Sequence, residues 1–81
     1  MNKHDLVLYQ NDSCPFCTKV RYFLDENDIT IPMKDTLLDP AARQELIQIG
    51  GKGQVPCLVI DGQPLYESNE IIRWVQQELI D

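Results

Sequence analysis

Two cysteines with two residues between them, Cys14 and Cys17, stand in the stretch Ser13-Cys14-Pro15-Phe16-Cys17. An apolar run, Leu6-Val7-Leu8-Tyr9, precedes them and a helical pattern follows. At such a strand-to-helix junction a C-x-x-C pair reads as a pair of redox thiols. The chemistry is thiol–disulfide exchange, in which a thiolate attacks a disulfide sulfur. Cys14 falls at the helix cap and Pro15 at the first helical position, where a missing N–H costs nothing. The unpaired N–H groups of that first turn then face the Cys14 sulfur and favour its reactive, thiolate form. The other reading of C-x-x-C is half of a zinc site, which needs a second pair or histidines at ligand spacing. Cys57 and the single histidine, His4, do not supply one, so no metal is expected.

The elements around the pair follow from hydrophobic spacing. Residues 5–9 read as a buried strand and 10–13 as a polar loop. Over 15–26, Phe16, Val20, Phe23 and Leu24 oppose Lys19, Arg21, Asp25 and Glu26, the pattern of an amphipathic helix. Cys17 shares the face of Val20 and Leu24. It is therefore expected to be shielded, as a resolving thiol, with Cys14 exposed at the tip as the attacking one. Asn27-Asp28 ends this helix. Residues 29–34 form a weaker strand, which Pro32 assigns to a sheet edge. Asp39-Pro40 starts a second helix with Leu46, Ile47 and Ile49 as its apolar stripe. Gly50-Gly51-Lys52-Gly53 ends it in a mobile loop.

Residues 55–60 are the third strand, Asp61-Gly62 is a hairpin turn signal, and Pro64-Leu65-Tyr66 a short fourth strand. Ser68 is expected to cap a last helix with Ile71, Ile72, Val75 and Leu79 on one face and Trp74 beside it, partly buried. The order is βαβαββα, an α/β chain. A crossover helix makes the first two strands parallel, and the hairpin makes the last two antiparallel.

The 81 residues suffice for one small domain, and a hydrophobic fraction of 43% is ordinary for a globular chain. A net charge of −6 argues against nucleic acid and anionic membranes as partners. No run approaches the length of a membrane helix, and residues 1–5 contain no signal-peptide core, so a cytoplasmic protein is expected. Three cysteines in such a chain are not a disulfide framework.

Cys14-Pro15-Phe16-Cys17 resembles the C-P-[YF]-C active site of the glutaredoxins, and Val55-Pro56 resembles their cis-proline loop. The resemblance runs through the whole chain. It implies a thioredoxin-like fold: a four-stranded mixed sheet flanked by three helices. Two positions depart from the pattern. Asn11 stands where many glutaredoxins have a lysine. Leu65-Tyr66-Glu67-Ser68 replaces their Gly-Gly-x-Asp stretch and is more similar to the Glu-Ser motif of glutathione transferase N-terminal domains, notably the omega class. Those transferases carry a second, helical domain.

The resemblance implies a monomeric enzyme with glutathione as co-substrate and no permanently bound cofactor. Cys14 would reduce protein–glutathione mixed disulfides and protein disulfides, with Cys17 resolving. Phe16, Val55, Pro56, Glu67 and Ser68 would bind glutathione. Lys52 would hold one of its carboxylates, although a solvated lysine in a Gly-rich loop accounts for that residue equally well. Cys57 reads as a small core residue, Lys19 and Arg21 as surface charges able to favour the Cys14 thiolate, and His4 as tail. Two other functions stay open. One is a thioredoxin-like electron donor reduced by a flavoprotein reductase, against which the Glu67-Ser68 pair argues. The other is a dimer bridging an iron–sulfur cluster through Cys14 and glutathione thiolates, which a proline after the cysteine disfavours.

Overall fold

The computed structural model describes residues 4–80. Strand β1 (Leu6–Gln10) leads into helix α1 (Pro15–Glu26); β2 (Met33–Asp35), α2 (Pro40–Gly50), β3 (Cys57–Ile60), β4 (Gln63–Tyr66) and α3 (Ser68–Val75) follow. A π-helical turn, Gln76–Ile80, extends α3. The strands form one sheet in the order β2-β1-β3-β4. β2 runs parallel to β1, with Leu8 opposite Met33. β3 is antiparallel to both β1 and β4. This is the expected mixed sheet with three helices.

Local chemistry explains most of the boundaries. Pro15 opens α1 behind the extended Cys14. The Asp39 carboxylate accepts the Ala41 N–H at 3.0 Å and starts α2, and Gly51 ends it at φ 83°, a left-handed conformation that suits glycine. Asp61 and Gly62 both have positive φ, as a tight hairpin turn between twisted strands requires. Asp61 does more than turn the chain. Its carboxylate accepts the Asp5 N–H and pairs with His4 Nδ1, each at 2.8 Å. The His4 ring also meets the edge of Trp74 at 5.0 Å. His4 is thus tied to the hairpin rather than being a loose tail.

Alternation along the strands sorts the core onto two faces of the sheet. Leu6, Leu8 and Leu58 pack with Val20, Leu24, Ile31, Ile71 and Val75 beneath α1 and α3. Tyr9, Cys57 and Val59 pack with Ala42 and Leu46 beneath α2. Cys57 is a buried core residue, and Trp74 packs against the first cluster while partly exposed.

Four expectations need correction. The strand expected over 29–34 pairs only at Met33–Asp35, because Ile29 and Ile31 turn into the α1/α3 core. Pro32 has no N–H to give the ladder, but its carbonyl accepts the Leu8 N–H at 2.9 Å. β3 begins at Cys57, after a Val55–Pro56 bond that is cis. On α2 the buried residues are Ala42 and Leu46, four apart on one face, while Ile49 is exposed. Ser68 does not cap α3: it is the first helical residue, and Glu67 occupies the cap at φ 75°, ψ 121°.

Candidate functional site

Cys14 sits where α1 begins, and the first turn of that helix organises its sulfur. Cys14 Sγ accepts the Cys17 N–H at 3.4 Å. The Cys14 carbonyl accepts both the N–H and the hydroxyl of Thr18, at 3.1 and 3.2 Å. Asn11, which stands where the resembling family has a lysine, shapes the loop before it. Its side-chain oxygen accepts the Ser13 N–H at 3.0 Å, and its carbonyl accepts the Cys14 N–H at 3.4 Å. The neighbouring Asp12 is paired with Arg21 at 2.9 Å, so its negative charge is compensated beside the cysteines.

The two thiols differ as their places on the helix require. Cys14 is partly exposed and Cys17 is fully buried among the residues facing the sheet. Burial, ahead of the influence of the Cys14 sulfur, pushes the Cys17 thiol up, although the Asn11 backbone and the Arg21 charge work the other way. Cys17 is therefore a protonated thiol near neutrality. Burial also pushes up the Cys57 thiol, which lies on the opposite, α2 face of the sheet.

The Cys14 thiol points at the Val55 carbonyl, 3.9 Å away. Val55 in turn lines a cavity of about 390 Å³. Phe16, Val55, Pro56, Glu67 and Ser68 line it together, joined by three residues that sequence reasoning did not assign to a site: Lys19, Gln54 and Asn69. Phe16 is exposed rather than part of the buried stripe of α1, and its spacing of three from Lys19 puts both on one helix face. That spacing was the available signal for Lys19. Asn69 and Gln54 adjoin assigned residues, but no spacing rule singles them out. The Lys19 ammonium donates to Asn69 Oδ1, bridging α1 to the first turn of α3. Ser68 is buried at the cavity wall, and Glu67 is exposed with no hydrogen bond from its side chain to the helix end.

Positive φ in a residue other than glycine costs on the order of 1–3 kcal/mol and concentrates at ligand clamps and similar sites. At Glu67 the conformation leaves the carboxylate free of the usual capping role, next to the open N–H groups of the first turn of α3.

Lys52 is not among the cavity's lining residues. Its ammonium lies over the Tyr66 ring, 4.5 Å from the centroid. The Tyr66 hydroxyl donates to the Lys52 carbonyl at 3.3 Å. Gly50 lies directly beneath that ring: a Cβ there would come within 1.9 Å of the Tyr66 hydroxyl oxygen. The Gly-rich loop is therefore clasped by Tyr66, the residue just before Glu67. Among the described residues no cluster of three or more His, Cys, Asp or Glu side chains could hold a metal ion.

The geometry places a partly exposed thiol beside the Val55 main chain and a cavity with one acidic and one basic side chain.

Comparison with known proteins agrees with this architecture. Residues 13–78 match the family model "Glutathione S-transferase, N-terminal domain". The chain is 37% identical to prostaglandin E synthase 2 of Danio rerio over 67 residues, which are 83% of this chain and 17% of that protein. It thus spans less than a fifth of that curated relative. Among solved structures, the thioredoxin-like protein BC3987 superposes with a TM-score of 0.76 at 31% identity, covering 91% of this chain and 99% of the other. Glutathione transferase Omega 3C from Trametes versicolor superposes with a TM-score of 0.77 at 30% identity, covering 90% of this chain and 33% of the other. The chain has the thioredoxin-like fold and belongs to the glutathione S-transferase N-terminal domain family.

Proposed function

We propose that this chain is a glutathione-dependent thiol–disulfide oxidoreductase of glutaredoxin type with a transferase-like glutathione site. The observation that carries the reading is the Cys14 sulfur at the start of α1, 3.9 Å from the Val55 carbonyl of the cavity wall. Membership of a glutathione transferase domain family supports glutathione as the ligand. Glu67 and Ser68 then take the γ-glutamyl end, Val55 the cysteinyl main chain, and Phe16 and Pro56 the apolar wall.

The reaction balances without any other redox agent. The Cys14 thiolate attacks the glutathionyl sulfur of a protein mixed disulfide. The protein leaves as its thiolate and Cys14 carries the glutathione. A second glutathione thiolate attacks that disulfide at the glutathionyl sulfur, releasing oxidised glutathione and the Cys14 thiolate. For a protein disulfide, the Cys14 thiolate attacks one substrate sulfur and expels the other as a thiolate. Cys17 then gives up its proton to that thiolate and attacks Cys14 Sγ, expelling the second substrate thiolate. Two glutathiones reduce the resulting Cys14–Cys17 disulfide, leaving as oxidised glutathione. A transferase that conjugates glutathione must instead stabilise the thiolate of glutathione itself. Here the side chain facing Val55 is a nucleophile, which favours exchange over conjugation.

A coupled deglutathionylation assay tests the reading. Turnover is expected with glutathione and glutathione reductase, none with thioredoxin reductase alone, and none in Cys14→Ser. An active Cys14→Ser protein, or efficient reduction by thioredoxin reductase without glutathione, contradicts it.

A further inference from the structure

Of the eight residues that line the cavity beside Cys14, one is cationic, Lys19, and one is anionic, Glu67. They come from different elements, α1 and the entry to α3. Lys19 is steered: its ammonium donates to Asn69 Oδ1. An ammonium has three N–H donors, so two remain for a ligand. Ser68, the other donor at this end, is 7% exposed and uncharged. Lys52, the alternative cation, is engaged with the Tyr66 ring outside the lining.

The overall charge of −6 makes the local cation matter. Glutathione is itself net negative at neutral pH, with two carboxylates and one ammonium. A cavity holding Glu67 without Lys19 would repel it.

We propose that Lys19, oriented by Asn69, is a specificity-determining residue that takes the α-carboxylate of the γ-glutamyl group while Glu67 takes the α-ammonium. This rests on the glutathione reading of the cavity and adds the residue that makes it selective for a zwitterionic amino-acid end. The cavity then discriminates against thiols and disulfides whose γ-glutamyl carboxylate is amidated or absent.

The test is calorimetric titration with two stable thioethers: S-methylglutathione and its γ-glutamyl α-carboxamide. Wild-type protein is expected to prefer the carboxylate ligand. Lys19→Met should lose about ten-fold in affinity for that ligand, in line with one charge-assisted contact, and little for the carboxamide. Lys19→Arg should restore most of the preference. If Lys19→Met weakens both ligands equally, or neither, the proposal is overturned while the glutathione site stands. Equal wild-type affinity for the two ligands overturns it in the same way. If wild-type protein binds neither ligand, the proposal falls together with the function on which it rests.

Discussion

The two ends of the site are built in opposite ways. The thiol end is local: Asn11, Cys14, Cys17 and Thr18 lie within one loop and one helical turn, and their hydrogen bonds close on one another. The recognition end is assembled from distant segments: Lys19 from α1, Gln54 to Pro56 from the turn before β3, and Glu67 to Asn69 from the start of α3. The sheet order brings the β3–β4 hairpin beside β1 and so makes that assembly possible. The first end holds two sulfurs, one partly exposed and one buried, whereas the second holds opposed charges. This difference separates reactivity from affinity. Loss of the Cys14 thiol should stop turnover, and changes at the recognition end should shift the concentration at which it occurs.

The largest effect expected under this division is the loss of turnover in Cys14→Ser. Next comes Glu67→Gln, which keeps the shape of the side chain and removes its charge. A charge-assisted hydrogen bond contributes about 1.5–3 kcal/mol, and the exposed setting of Glu67 favours the lower figure, so the KM for glutathione should rise about ten-fold. A wild-type KM in Glu67→Gln would place the γ-glutamyl contact elsewhere and break the comparison. The smallest effect belongs to Lys52→Met, because that ammonium rests on Tyr66 and not in the cavity. Its KM for glutathione should change less than two-fold, by about 0.4 kcal/mol or less. A rise as large as that of Glu67→Gln would return the carboxylate contact to Lys52.

The same division explains what could be read from sequence. α1, the cap at Asp39, the Asp61-Gly62 hairpin and the asymmetry of Cys14 and Cys17 all follow from short-range rules, and the structure has them at the expected positions. The composition of the recognition end was only half legible. Phe16, Val55, Pro56, Glu67 and Ser68 are visible through a resemblance, whereas Lys19 reads as a surface charge: its spacing puts it on the face of Phe16, but nothing local says that this face lines the cavity. The expected cap at Ser68 failed for an instructive reason. Serine is a good cap by type, yet the chain reaches α3 through a positive-φ Glu67, and that conformation depends on the surrounding fold rather than on the residue. His4 was misread for a similar cause, since its partners Asp61 and Trp74 are contributed by the far end of the chain.

The central claim is that Cys14 is the sulfur that forms mixed disulfides, with glutathione or with a substrate protein, and that Cys17 only resolves them. Removing the resolving thiol should trap the glutathione mixed disulfide. Cys17→Ser protein, mixed with a glutathionylated protein and then alkylated, should carry a single glutathione, and peptide mapping by mass spectrometry should place it on Cys14. Glutathione found on Cys57, or a Cys17→Ser protein that takes up none while the wild type turns over, would contradict the account.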